Sequence, residues 1–247
     1  MPEPDHYAAA MSDPVVVAID GPSGSGKSSV AKAVAAHFGY GYLDTGAMYR
    51  AVTLWCLRTG VDLADQEAVV AAAEDLPLGL GVDPTETTVE LDGEDVADAI
   101  RTSEVSGVVS AVATNLGVRA VLQQAQRDLI ELIADDFGGV VAEGRDITTV
   151  VAPDAAVRIL LTASEAARLA RRSTQLHGSA DAATVAATHD EVVRRDRDDS
   201  TVSQFTQAAD GVVLLDTSEL DFEGSVAAAI AIVTAGLECA AAGGSPA

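Results

Sequence analysis

The chain reads as an α/β domain built on parallel strands. Short, mostly apolar runs recur at 15–19, 138–142, 156–161 and 211–216, as expected of strands buried on both faces of a parallel sheet. Helix-forming stretches lie between most of these runs, and right-handed crossovers would gather them into one sheet with helices on both faces. The first strand and helix are joined by Gly21-Pro22-Ser23-Gly24-Ser25-Gly26-Lys27-Ser28. This stretch fits G-x-x-x-x-G-K-[ST], a loop that turns backbone N–H groups towards phosphate oxygens.

Each element follows from local chemistry. The first strand spans about 14–20 and the first helix about 27–38, where Gly39 stops it. Tyr40-Gly41-Tyr42-Leu43-Asp44 makes a short second strand. A helix follows over about 46–59 and ends at Gly60, and a short alanine-rich helix covers 66–74. Residues 76–98 change character: 78–82 and 87–91 look like strands, and Asp92-Gly93 marks a tight hairpin turn. This segment is a small antiparallel insertion. Helices at about 103–112 and 118–136 come next, the second amphipathic through Val121, Leu122, Leu129, Ile130 and Ile133. Strands at 138–142 and 156–161 resume the α/β rhythm. Ser164 caps a helix that reaches about 175, another helix covers about 182–198, and a strand at 211–216 precedes a last helix over 222–240. Residues 1–13 read as a flexible leader and 236–247 as a tail.

Composition narrows the function. A net charge of −23 opposes general attraction to nucleic acid. No uninterrupted apolar run approaches the ~18 residues of a membrane span, and the N-terminus lacks the basic start of a signal peptide, so a cytoplasmic protein is expected. Cys56 and Cys239 match no metal spacing and read as reduced thiols. His6, His37, His177 and His189 show no ligand spacing either.

Against this acidic background the cations are informative. The only lysines are Lys27 and Lys32. Arginines cluster at Arg168, Arg171 and Arg172 and at Arg194, Arg195 and Arg197. Such clusters mark either local anion sites or salt-bridged helix faces. In the loop, Gly21, Gly24 and Gly26 allow tight turning, and the new helix adds its positive N-terminus. Pro22, Ser23, Ser25 and Ser29 complete this cradle. Lys27 would reach the β- and γ-phosphates, and the Ser28 hydroxyl would hold Mg²⁺. ATP is the expected nucleotide, since no N-K-x-D guanine-reading pattern follows.

The phosphate loop does not name the acceptor. Further motifs do so by resemblance. Ile19-Asp20 leads into the loop; Leu43-Asp44-Thr45-Gly46-Ala47-Met48-Tyr49-Arg50, Ile100-Arg101-Thr102-Ser103-Glu104-Val105 and Glu143-Gly144-Arg145-Asp146-Ile147-Thr148-Thr149-Val150-Val151 follow in order. Together they closely resemble the bacterial cytidylate kinases, over roughly 14–235. The resemblance implies a nucleoside-monophosphate kinase fold with a parallel five-stranded sheet and a helical lid. It also implies transfer of the ATP γ-phosphoryl to CMP or dCMP, small-molecule partners and a monomer. By this analogy the core covers 14–60 and 100–235, the lid about 165–205, and the CMP-binding insertion 61–99.

The same resemblance implies residue roles. Thr45, Arg50 and Arg145 match the acceptor site, with both arginines on the monophosphate. Ser110, Arg119 and Asp146 match the cytosine readers; a carboxylate accepts from the cytosine amino group and would repel the uracil carbonyl. Arg195 and Asp199 match a segment near the ribose. Arg168, Arg171 and Arg172 fall in the lid, and one or more of them would close on the transferring phosphoryl. Taken alone, Thr45 and Asp44 also suit a helix cap, Ser110 suits packing, and Tyr49 suits the core. One departure stands out. Family members often carry an arginine after D-S-x, whereas Asp199-Ser200-Thr201 leads into Val202 here; Arg194 or Arg197 would have to compensate. Two other readings stay open: a small kinase acting on UMP or a non-nucleotide acceptor, and a nucleotide-binding module without catalysis.

Overall fold

The computed structural model describes residues 14–242. The expected leader at 1–13 and the end of the expected tail, 243–247, lie outside these residues. Five parallel strands form the main sheet in the order β2-β6-β1-β7-β8: β1 Val15–Asp20, β2 Gly41–Asp44, β6 Gly139–Gly144, β7 Val157–Thr162 and β8 Val213–Asp216. Three short strands, β3 Leu78–Leu80, β4 Val89–Leu91 and β5 Glu94–Asp95, make a separate antiparallel sheet. The α/β architecture, the five-stranded parallel sheet and the small antiparallel insertion all match the sequence reading.

Strand β6 runs two residues further than its apolar run, through Glu143 and Gly144. Its register explains why that matters. Glu143 pairs with Ile19 on one side and Asp44 on the other, and Gly144 pairs with Asp20. The carboxyl ends of β1, β2 and β6 therefore finish at one level, where an open α/β sheet places its ligands.

Helices α1 Lys27–Phe38 and α8 Phe222–Ala241 cover one face of the sheet. Val17, Ile19, Val34, Ile159, Ala229 and Val233 meet there with no exposed surface. Burial of each large aliphatic side chain stabilises the fold by about 1.5–3 kcal/mol. Helix α8 extends through part of the segment expected to be tail. Its mean hydropathy of 1.7 would also suit a membrane span; in the fold it supplies part of the core beside α1 and β7. On the other face, α5 Leu116–Phe137 packs Ile130, Ile133 and Ala134 against β6. Helices α2 Thr45–Thr59, α3 Gln66–Glu74, α4 Ser103–Ala113 and α5 share a further core.

Two local features escaped the sequence reading. A 3-10 turn covers Ala99–Arg101. A π-helical turn covers Ile147–Val151, with the Val151 amide donating to the Asp146 carbonyl and the Ala152 amide to that of Ile147. Asp20 organises the second. Its buried carboxylate accepts from the Ile147 amide at 3.0 Å, the Thr148 amide at 2.8 Å and the Thr148 hydroxyl at 2.6 Å. Burial raises the Asp20 pKa, and these three donors work in the opposite direction. Helices α6 Glu165–His177 and α7 Ala182–Asp199 pack on each other above the phosphate loop.

Candidate active site

The phosphate loop is shaped by close approach. A Cβ on Gly21 would lie 2.1 Å from the Leu161 carbonyl oxygen of β7, so no other residue fits without moving the strand. Gly26 caps α1 with φ of 90°, a left-handed value that side chains disfavour. The loop, Ser28 and Ser29 line a cavity of about 450 Å³ together with Arg171, Arg172, Leu220 and Phe222. The Ser25 hydroxyl is buried there without a hydrogen-bond partner among the described residues. An incoming phosphate oxygen would satisfy it.

Lys27 reaches across the cleft. Its Nζ lies 2.9 Å from Glu143 Oε2, whose side chain is 2% exposed. The Tyr42 hydroxyl donates to Glu143 Oε1 at 2.6 Å, and Thr45 Oγ1 donates to the Glu143 carbonyl at 2.7 Å. Burial, then the charges of Glu143 and Asp44, push the Tyr42 phenol well above its ordinary value, so it remains a donor. Lys32 sits over the Tyr42 ring and donates to Thr87 Oγ1 at 2.8 Å, tying α1 to the insertion. Beside this cluster, Asp44 caps α2 through the Ala47 amide at 2.9 Å and pairs with Arg101 at 3.2 Å. Burial alone would raise the Asp44 carboxyl; the charges of Arg101 and Lys27 outweigh it and hold the pKa below the usual value.

A second cleft of about 140 Å³ faces Lys27 and Ser28 with five guanidinium groups: Arg50, Arg101, Arg145, Arg172 and Arg195. Arg50 is 6% exposed and donates only to neutral groups, the Ile100 carbonyl at 3.0 Å and Ser106 Oγ at 2.8 Å. Burial and the neighbouring Arg195 and Arg172 push its pKa well below the usual value. Burial and Arg145 also lower that of Arg195, against the pull of Asp199. This concentration of cations in an acidic chain is a ready seat for a polyanion.

Asp199 and Asp196, near the end of α7, organise the rest. Asp199 accepts from Arg145 Nε at 3.2 Å and from Ser110 Oγ at 3.4 Å, and lies 3.6 Å from Arg195 Nε. Asp196 accepts from the Ser23 amide at 2.9 Å and from Arg168 and Arg145. Arg145 also donates to the Gly21 carbonyl at 2.5 Å and stacks on Phe205. The helical pair is thus docked on the loop. Asp199 thus gathers Ser110, Arg145 and Arg195, which the resemblance assigned to the base, the phosphate and the sugar respectively.

The three lid arginines differ from one another. Arg168 donates to the Ser23 carbonyl at 2.8 Å and pairs with Asp196. Arg171 spends both terminal nitrogens on the Ser25 carbonyl, Thr217 and the Leu220 carbonyl. Only Arg172 lines both cavities. The proposed stand-ins for the missing arginine face elsewhere: Arg194 donates to the Gly107 carbonyl, and Arg197 is 74% exposed beside Asp198. Arg101 lines the cleft instead.

Arg119 and Asp146 form a buried pair at 2.6 Å, and Gln123 donates to the same Asp146 oxygen at 2.7 Å. Tyr49 belongs to the core, the placing preferred for it above, with its hydroxyl buried near Gln126. Burial and the Asp146 charge raise its pKa to about 12. The sequence reading missed Tyr42 and Gln123, which carry no motif signal, and gave no role to Glu143, Arg101 or Asp196, which lie inside segments of the resemblance.

Residues 17–235 match the family model for cytidylate kinase. The chain belongs to the cytidylate kinase family. Among relatives called cytidylate kinase, that of Nocardia farcinica (strain IFM 10152) is 51% identical over 212 residues, 85% of this chain and 89% of the relative. That of Streptomyces griseus subsp. griseus is 46% identical over 220 residues, covering 89% and 92% of the two chains. That of Rhodococcus opacus (strain B4) is 48% identical over 222 residues, covering 89% and 95%. Cytidylate kinases are phosphotransferases, and this membership accords with the enzyme class read from the motifs.

Proposed function

We propose that the chain transfers the γ-phosphoryl of ATP to CMP or dCMP, giving ADP and CDP or dCDP. One observation carries the reading: Lys27 and Ser28 of a phosphate loop face five guanidinium groups across a single cleft. Such a site suits two phosphates that must be brought together against their own repulsion.

The loop amides, the Ser25 hydroxyl and Lys27 hold the nucleotide polyphosphate, and the larger cavity takes the rest of it. No group of three or more His, Cys, Asp or Glu able to hold a metal exists among the described residues. The Ser28 hydroxyl, by contrast, suits an ion that arrives on the phosphates. Mg²⁺ held there would neutralise charge on the transferring phosphoryl. Arg50 and Arg145 orient the acceptor phosphate, with Thr45 at its edge and Arg101 as a further cation. Ser110, Arg119 and Asp146 read the base; Arg195 and Asp199 face the sugar. Arg172 supplies transition-state charge, while Arg168 and Arg171 fix the loop beneath it. The acceptor phosphate is already anionic, so positioning dominates and no strong base is required.

Residues 61–99 serve as the CMP-binding insertion and about 165–205 as a lid that excludes water. A monomer is the state that the family resemblance implies. The charge of −23 fits small-molecule substrates in the cytoplasm, with no nucleic-acid or membrane partner. The test is coupled ADP release with MgATP against CMP, dCMP, UMP, AMP, GMP and shikimate. Turnover confined to CMP and dCMP is expected. Turnover with another acceptor would overturn the base-reading roles, and ATP binding without any turnover would leave a nucleotide-binding module.

A further inference from the structure

Gln123 is absent from every motif quoted above, yet it touches the residue on which base choice turns. It lies four residues after Arg119 on α5, so the two side chains share one helix face. Both donate to Asp146 Oδ2, Arg119 at 2.6 Å and Gln123 at 2.7 Å. A carboxylate oxygen has two lone-pair directions, and these two donors occupy both. Asp146 Oδ1 accepts no hydrogen bond from the described residues.

We propose that Gln123 is a positioning residue that sets the preference for cytosine over uracil. With Oδ2 filled, the carboxylate cannot turn to offer either oxygen at will, and Oδ1 is the acceptor left for a base amino group. A uracil carbonyl at that place would meet a fixed acceptor, and two facing acceptor oxygens would have no proton between them. Arg119 alone makes a single bond to Asp146, because its Nη1 is spent on the Ala113 carbonyl at 3.3 Å, and a carboxylate held at one point can pivot about it. Gln123 adds a neutral donor, which fixes the orientation and leaves the negative charge in place. The inference rests on the cytosine-reading roles proposed above for Asp146 and Arg119.

The experiment compares wild type with Gln123→Leu and Gln123→Lys, measuring kcat and KM for CMP, UMP and ATP. Leu keeps the volume and helix preference and removes the donor; Lys restores a donor of similar reach. Gln123→Leu should lower kcat/KM for CMP about tenfold, mainly through KM, with kcat/KM for UMP and KM for ATP unchanged. The CMP-to-UMP preference should fall fivefold or more, and Gln123→Lys should recover most of it. A smaller fall, or a Lys variant as impaired as the Leu variant, overturns the inference; general loosening of the fold would move both acceptors and ATP together. Should Gln123→Leu fail to fold, Gln123→Met replaces it with the same criteria. Wild type that turns over neither CMP nor dCMP would sink the functional reading itself, a result distinct from an unchanged preference in the variant.

Discussion

The Lys27 ammonium and the Glu143 carboxylate meet at 2.9 Å, with the lysine side chain 13% and the glutamate side chain 2% exposed. The sole lysine of the phosphate loop is therefore held by the one carboxylate of β6, which also accepts from Tyr42. In the catalytic cycle proposed above, Lys27 would exchange this partner for phosphate oxygens.

Lys27→Met separates the two roles. Turnover should fall by about 10²–10³-fold or more, the usual effect of removing one preorganised charge donor. Stability should fall by about 3–5 kcal/mol, because a buried carboxylate loses its cation. Adding Glu143→Gln should restore most of the stability and none of the activity. Urea unfolding and coupled ADP release read the two effects; activity recovered in the double variant would deny Lys27 its role.

Arg50→Met should raise KM for CMP by about 10–100-fold, equivalent to one charge-assisted bond of about 1.5–3 kcal/mol. Its effect on stability should be within about 1 kcal/mol. Losing the bonds to Ile100 and Ser106 is offset by removing a cation crowded by Arg195 and Arg172. KM for ATP, measured alongside, should stay within twofold.

Arg171 and Arg172 are neighbours that should fail differently. Arg172→Ala should lower kcat by about 10³-fold, the lower end for a transition-state arginine. Arg171→Ala should lower the melting temperature and raise KM for ATP, since its nitrogens secure Ser25, Thr217 and Leu220. Identical kinetic defects in the two variants would contradict this division.

Asp44 gives the site a signature in acid. Its folded pKa lies below the unfolded value of about 3.9. The stability it contributes is present above that value and is lost as pH falls through the folded pKa. Asp44→Asn, which keeps a cap-forming side chain, should therefore cost more stability at pH 7 than near pH 3. Urea midpoints at the two pH values measure the difference; an equal cost at both would show that the ion pair with Arg101 contributes nothing.

Most strands and helices were legible because their signals are local. Gly39 and Gly60 end α1 and α2 where expected, both in the left-handed conformation. Strand β8 was read two residues too long, since Gly211 and Val212 are drawn into a turn in which the Val212 amide bonds the Ala209 carbonyl. The π-helical turn could not be read at all. It depends on Asp20, more than 120 residues earlier in the chain, as the separation of 127 residues from Ile147 shows.

The sequence by itself determined the α/β rhythm, the phosphate loop and the motifs that carry the family, because apolar periodicity, glycine spacing and cap residues act over a few positions. Only the tertiary structure decided how the charges pair. The register of β6 with β1 and β2 sets Glu143 opposite Lys27; the docking of α7 gives Asp196 and Asp199 their arginines; the face of α5 brings Gln123 to Asp146. A guanidinium or carboxylate carries the same charge wherever it stands in the chain. Its partner, and hence its role, is fixed by which distant strand end or helix face the fold places within about 3 Å of it.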